Sequence, residues 1–232
     1  MFGLSNNSSE TITVMKHSKN KSFTRLWTAL LLAALIMVAG TVRSYAVTYK
    51  IGDTYGGGKV AYIFQSGDAG YVTGQQHGLI AAEADVNNTY KDAWSGESYT
   101  GTYVWSTSQV KIKTSADYAY QAIGTTGTAI GAGAGNTKRI LAKYPVANYP
   151  NSAAAVAHAY RGGGFKDWFL PSMDELKQLY VSKGLVGGYA DFLYWSSSEM
   201  SPSVAWYKIF INGLLGNSIK SYFKRVRPVR AF

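Results

Sequence analysis

The chain has no cysteine. Disulfides, thiolate metal sites and cysteine nucleophiles are therefore excluded. It has three histidines, His17, His77 and His158, too few and too scattered for an imidazole-built zinc site. Charge is sparse at 16% of residues against 47% hydrophobic, a balance that does not describe a disordered chain. What is abundant is Gly (25) and Tyr (18), which predicts a turn-rich, β-containing protein over a helical bundle. The triplet 56–58 is not a phosphate loop, because neither Lys-Ser/Thr nor a helix follows it.

Residues 1–46 read as a targeting segment. Lys16, Lys19, Lys21 and Arg25 form a basic stretch, and residues 26–40 (LWTALLLAALIMVAG) an apolar core. Ser44 and Ala46 put small residues at positions −3 and −1 of a cleavage site. The apolar run is short for a membrane span, so a cleaved Sec-type signal is the first reading and an uncleaved anchor the alternative. Met15 is an alternative start, since residues 1–14 carry no leader feature. Export implies a periplasmic, secreted or cell-surface protein, with membrane contact only through an uncleaved leader. Residues 47–232 are enough for one domain.

Loss of the leader removes five of the 23 basic residues and one of the 13 acidic, leaving a net charge of +6. Five of the remaining cations lie near the end: Lys220, Lys224, Arg225, Arg227 and Arg230. They are read either as an ordinary basic face or as a site for a sulfated or uronic glycan. Nucleic acid is not an expected partner of an exported chain.

Along the domain, strands are predicted over 59–64, 78–82, 165–170, 194–197, 204–211 and 222–229. Helices are predicted over 116–123, 137–143 and 153–160, capped by Ser115, Asn136 and Ser152. Residues 172–175 (SMDE) form a capping box: the Ser172 hydroxyl takes the N3 amide and Glu175 returns to the cap amide. Met173, Leu176, Leu179 and Tyr180 then share one helical face, and Lys183-Gly184 closes that helix. Asp174 and Glu175 point about 100° apart, so they do not face one substrate atom. The pattern predicts an α+β domain.

The last forty residues alternate rigid markers with unpatterned stretches. Segment 194–199 reads YWSSSE, followed by Ala205-Trp206, Phe210, Gly213 and a VRPVRAF ending at 226–232. Together with GGFKDWFLPSMDEL at 163–176, IGDTYGGG at 51–58, HGLIAA at 77–82 and TGTAIG at 126–131, these motifs resemble the C-terminal domain of bacterial collagen-like adhesins of the Lcl type. The resemblance spans nearly all of 47–232. It implies a C-type-lectin-like fold of the formylglycine-generating-enzyme subtype, with short twisted antiparallel sheets, few helices and long loops. Some members bind glycosaminoglycans. Others are variable proteins of diversity-generating retroelements, whose C-terminal segment is rewritten at adenines, and the VRPVRAF ending resembles those most.

A codon argument runs beside the resemblance. Trp195, Ser196, Ser197, Ala205, Trp206, Phe210, Gly213 and residues 226–232 can all be encoded without adenine, whereas Glu199, Met200, Lys208, Lys220 and Lys224 cannot. The expected function is an exported binding protein contacting a protein or glycan ligand on another cell or host surface. The expected ligand-binding residues are Met200, Ser201, Ser203, Tyr207, Lys208, Ile211, Asn212, Leu214, Asn217, Ser218, Tyr222 and Lys224. Tyr supplies contact area at low entropic cost, and Ser and Asn supply adaptable hydrogen bonds. Trp168, Trp195, Trp206 and Phe210 are expected beneath them as scaffold. A fixed-specificity glycosaminoglycan adhesin using Lys220, Lys224 and Arg225 is the alternative. No catalytic residue, metal or cofactor is implied. An oxidase of the formylglycine-generating type needs cysteines, a Ser196–Ser198 nucleophile needs a histidine beside it, and the calcium-lectin sugar signature is absent.

Overall fold

The computed structural model describes residues 47–91, 98–106 and 122–232. The apolar runs VAYI and LIAA produce β2 (Gly58–Ile63) and β3 (Gly78–Ala81), which pair antiparallel with a bulge between Val60 and Tyr62. β1 (Thr54–Tyr55) flanks β2, and the chain's last strand, β11 (Val229–Ala231), flanks β3. The two ends of the domain are thus stitched into one sheet of order β1-β2-β3-β11. Phe232 seals the join: its amide and carbonyl bond to Gly78, and its ring meets Tyr49 and Tyr55 edge-on. The chain from Thr48 to Phe232 is one compact unit by its contacts. The proposed leader and the predicted 116–123 helix fall outside the described residues, apart from Ala122 and Ile123 of the latter.

Two short pairs follow, β4 (Thr89–Lys91) with β5 (Ser98–Thr100), and β6 (Tyr103–Val104) with β10 (Phe223–Lys224). The helices are α1 (Ala132–Lys143), α2 (Ala153–Ala159), α3 (Met173–Val181) and α4 (Lys183–Val186). Ser152 caps α2 and the Ser172/Glu175 capping box starts α3, both as the sequence predicts. Four local expectations fail. The predicted 222–229 strand is broken, with only Phe223–Lys224 and Val229–Ala231 extended into ladders. Asn136 does not cap α1, which begins a turn earlier after Gly131, and the buried Asn136 amide instead donates to the Gly127 carbonyl. Lys183-Gly184 does not close α3: Ser182 does, and a second short helix follows. Residues 165–170 form no strand, only an isolated bridge from Phe169 to Val229.

The second main sheet has the order β7-β8-β9, built from β7 (Leu193–Ser201), β8 (Val204–Ile209) and β9 (Leu215–Ile219). β7 runs through the middle of the core. Trp195 joins a cluster with Tyr103, Trp105, Ile140 and Leu170, while its neighbour Tyr194 joins another with Leu176, Leu179 and Phe210. Burial then falls strand by strand: β7 is buried from Tyr194 to Glu199, β8 is mixed, and every second residue of β9 is exposed. The architecture is α+β, with short antiparallel sheets and few helices.

Candidate functional site

The β8–β9 hairpin of this second sheet holds most of the residues singled out in the sequence. The β8–β9 hairpin turns at 210–214. Gly213 sits at φ 76°, where L side chains are strained, and a Cβ there would lie 2.4 Å from the Tyr180 ring. Two lysines hold the turn from below: Lys183 Nζ donates to the Phe210 carbonyl and Lys208 Nζ to the Gly213 carbonyl, each at 2.5 Å. Both ammoniums lie 4.8 Å from the Tyr180 ring centre. The tip is therefore a shaped loop whose carbonyls are satisfied by charge-assisted hydrogen bonds. Burial lowers the Lys208 pKa from the ordinary lysine value, and the charge of Lys177 adds to that shift.

The twelve predicted contact residues divide by depth. Met200, Ile211, Asn212, Leu214, Asn217 and Tyr222 are exposed. Ser201, Ser203, Tyr207 and Ser218 are half-buried. Lys208 and Lys224 are buried, which corrects their reading as surface contacts. Lys208 is spent on the hairpin turn. The Lys224 ammonium lies 4.1 Å from the Trp195 ring centre, 4.6 Å from Tyr207 and 5.7 Å from Tyr222, and burial lowers its pKa to about 8. Tyr207 also looks inward, edge-on to Trp195, and its ring covers Gly216. Of the expected scaffold, Trp168, Trp195 and Phe210 are buried, but Trp206 is only half-buried. In strand pairing it stands opposite Asn217, on the same face as the exposed Leu215 and Ile219. Leu215 and Ile219 were missed in the sequence, although alternation along LGNSI could have found them. The rim is apolar: Met200, Ile211, Leu214, Leu215, Ile219 and Tyr222 each expose between 42% and 63% of their surface.

The basic C-terminus is not a basic face. Lys220 is fully buried; its ammonium meets Glu199 Oε1 at 2.5 Å and the Pro202 carbonyl at 2.7 Å, and lies 4.4 Å from the Trp105 ring centre. Glu199 in turn accepts the Ile123 and Gly124 amides at 3.0 and 2.9 Å. Arg227 bonds Asp85 at 2.8 Å and the Ala82 carbonyl at 2.7 Å, while Arg225 reaches the other Asp85 oxygen at 3.3 Å. Tyr194 donates to Asp85 at 2.6 Å. Arg230 grips Asp167 bidentately at 2.8 Å, which holds the Asp167 carboxyl below the usual carboxylate range. Through Arg227 and Arg230 the VRPVR motif thus ties the ending to residues 82–85 and to the exposed Asp167.

The three consecutive serines serve the frame as well. Ser196 Oγ donates to the Trp206 carbonyl at 2.8 Å and Ser198 Oγ to the Gly127 carbonyl at 2.8 Å, and Ser197 Oγ takes the Asn136 amide at 3.4 Å. His158 is exposed on α2 and His77 bonds the Phe232 carbonyl, so no imidazole addresses a serine hydroxyl among the described residues. Glu175, the capping-box acid, accepts the Gly131 and Ser172 amides, and burial raises its pKa to about 7. No group of three or more His, Asp or Glu among the described residues is placed to hold a metal ion. No family model matches the chain, and no curated protein matches it. The exposed large side chains of this rim are uncharged, and the lysines beneath it are held on carbonyls, Glu199 or aromatic rings.

Proposed function

We propose that the chain is an exported binding protein and that its ligand meets the rim of the β7-β8-β9 sheet. The observation that carries this reading is the division by depth: Ile211, Leu214, Leu215 and Ile219 are exposed along β9 and its turn, with Tyr222 just beyond and Met200 at the β7–β8 turn, while Lys183, Lys208, Lys220 and Lys224 are held on carbonyls, Glu199 or aromatic rings. Such a patch on a soluble surface marks an interaction site. A C-type-lectin-like fold of the formylglycine-generating-enzyme subtype is consistent with this architecture, because the two ends meet in one sheet and the recognition edge lies on a second.

Diversification by a retroelement is part of the proposal. Trp195, Ser196, Ser197, Ala205 and Phe210, encodable without adenine, lie in the buried base, and Met200, Ile211, Asn212, Asn217, Ile219 and Tyr222, which need it, are exposed, with Leu214 and Leu215 encodable either way and Trp206 half-buried between. Lys208, Lys220 and Lys224 set a limit, since they need adenine codons yet fill internal roles. Rewriting would have to spare them. A sulfated glycan held by Lys220, Lys224 and Arg225 is not supported, because two of these are buried and the third is paired with Asp85.

The test is joint replacement of Met200, Ile211, Leu214 and Tyr222 by serine. Binding of labelled protein to a panel of cell surfaces and arrayed glycans is expected to be lost, while the melting temperature stays near that of the parent. Equal losses in both would mean the residues are structural, and unchanged binding would place the ligand elsewhere. Sequencing the flanking DNA for a near-repeat of the codons for 195–232, differing at adenines, tests diversification separately.

A further inference from the structure

β9 is the outer strand of its sheet, and among the described residues no strand pairs with its outer edge. The strand contains no proline, no charge and no bulge, and its pairing with β8 is unbroken from Lys208↔Leu215 to Val204↔Ile219. The phase of that pairing is fixed at both ends, where Ile209 N–H donates to Leu214 O and Lys220 N–H to Ser203 O. Leu214, Gly216 and Ser218 therefore spend their main-chain groups on β8, and Leu215, Asn217 and Ile219 direct theirs outward. Among the described residues only the Ile219 carbonyl has a main-chain partner there, the Tyr222 amide at 3.0 Å. The same three residues are the exposed ones of the strand.

Read for size and polarity, the strand is the same in both directions: Leu, Gly, Asn, Ser, Ile. Antiparallel pairing with an identical strand about a two-fold axis at Asn217 sets Leu215 against Ile219, Gly216 against Ser218 and Asn217 against Asn217. Apolar meets apolar, small meets small, and the two amides face each other. A C2 interface demands this kind of self-complementarity. We propose that β9 pairs edge-to-edge with β9 of a second copy, joining two three-stranded sheets into one of six strands. Pairing through the main chain leaves the rim side chains on the sheet face. Two recognition rims would then lie side by side on one surface, which turns a single contact into a bivalent one. The contact is short, so association is weak and concentration-dependent.

Sedimentation velocity of the full chain over a micromolar to near-millimolar series tests this. The parent is expected to move from the monomer towards the dimer. Asn217→Pro removes only an outward amide, so it should abolish the shift with little change in melting temperature. Leu215→Lys with Ile219→Lys sets like charges opposite each other twice and should also abolish it. Leu215→Lys with Ile219→Glu sets opposite charges in the same register and should restore it. Association through residues 1–46 would ignore all three changes. A parent that stays monomeric throughout, a dimer that survives the double lysine, or a lysine–glutamate pair that fails to regain it would each overturn the proposal. The affinity of a single rim is read separately, through the Met200, Ile211, Leu214 and Tyr222 replacements, so a failed dimer leaves the binding reading standing.

Discussion

Replacing Lys220 with methionine probes the frame at its most exacting point. The ammonium has no exposure, and neither in practice does the Glu199 carboxylate, at 2% of its side chain. Methionine fills the stem and keeps the contact with the Trp105 ring, so the change removes a charge and little volume. What stays behind is a carboxylate holding the Ile123 and Gly124 amides with no counter-charge. Removing one partner of a buried pair costs about 3–5 kcal/mol. For a domain of this length each kcal/mol shifts the melting temperature by about 2–4 °C, so the expected drop is roughly 6–20 °C. Glu199→Gln should cost a similar amount, because it strands the ammonium with the Pro202 carbonyl and one aromatic face. Combining the two should cost less than the sum by about 1–3 kcal/mol. Urea unfolding followed by circular dichroism gives all three values. A Lys220→Met protein within about 0.5 kcal/mol of the parent, or strictly additive changes, would refute the reasoning. There is also a pH signature. Burial lowers the Lys220 pKa and Glu199 opposes the shift. Without Glu199 the folded state holds that proton still less tightly than the unfolded state, whose value is 10.5. The Glu199→Gln deficit should therefore shrink as pH rises towards 10.5.

Three further outcomes are expected. The Lys224 pKa falls from 10.5 to about 8, so its charge costs stability below pH 8 and the cost is relieved between 8 and 10.5; parental stability should rise across that window. Lys224→Met should lose that part of the rise and gain about 1–3 kcal/mol at pH 7, the cation–π contacts offsetting some of the desolvation. Glu175 is raised from 4.5 to about 7, so its stabilising contribution is full below 4.5 and is lost as pH rises through 7, a slope that Glu175→Gln should erase in chemical unfolding. Gly213→Ala should destabilise by about 1–3 kcal/mol through its positive φ, with more from displacement of the Tyr180 ring. A neutral effect in a thermal melt would mean the hairpin turn relaxes freely.

Some signals confined to a few consecutive residues were legible in the sequence, although the equally local Asn136 cap and Lys183-Gly184 stop were overridden. The Ser172/Glu175 box and the Ser152 cap depend on contacts three residues apart, and both form as read. β2 and β3 were visible from their apolar runs, within one residue at each end. Features set by distant partners were not legible. α1 begins at Ala132, inside a glycine-rich run, because Gly133 packs against Glu175 and leaves no room for a Cβ. The extended segment before Pro171 finds only one bridge, to Val229. The lysines show the limit most clearly. Lys208, Lys220 and Lys224 have nothing around them in sequence to mark them as internal, and lysine is ordinarily exposed. Their burial follows from Gly213, Glu199 and the Trp195–Tyr207 pair, all placed by the sheet.

The outward fall in burial from β7 to β9 sets how the domain tolerates change. A protein of this kind has a stability margin of only about 5–15 kcal/mol, and a few core substitutions can exhaust it. Substitutions at well-exposed positions usually shift stability by no more than about 0.5 kcal/mol. Sequence change confined to the rim of β9 and the hairpin tip would leave that margin nearly intact, even when many positions vary together. The frame can therefore carry a large set of surfaces without a matching set of compensating mutations beneath them.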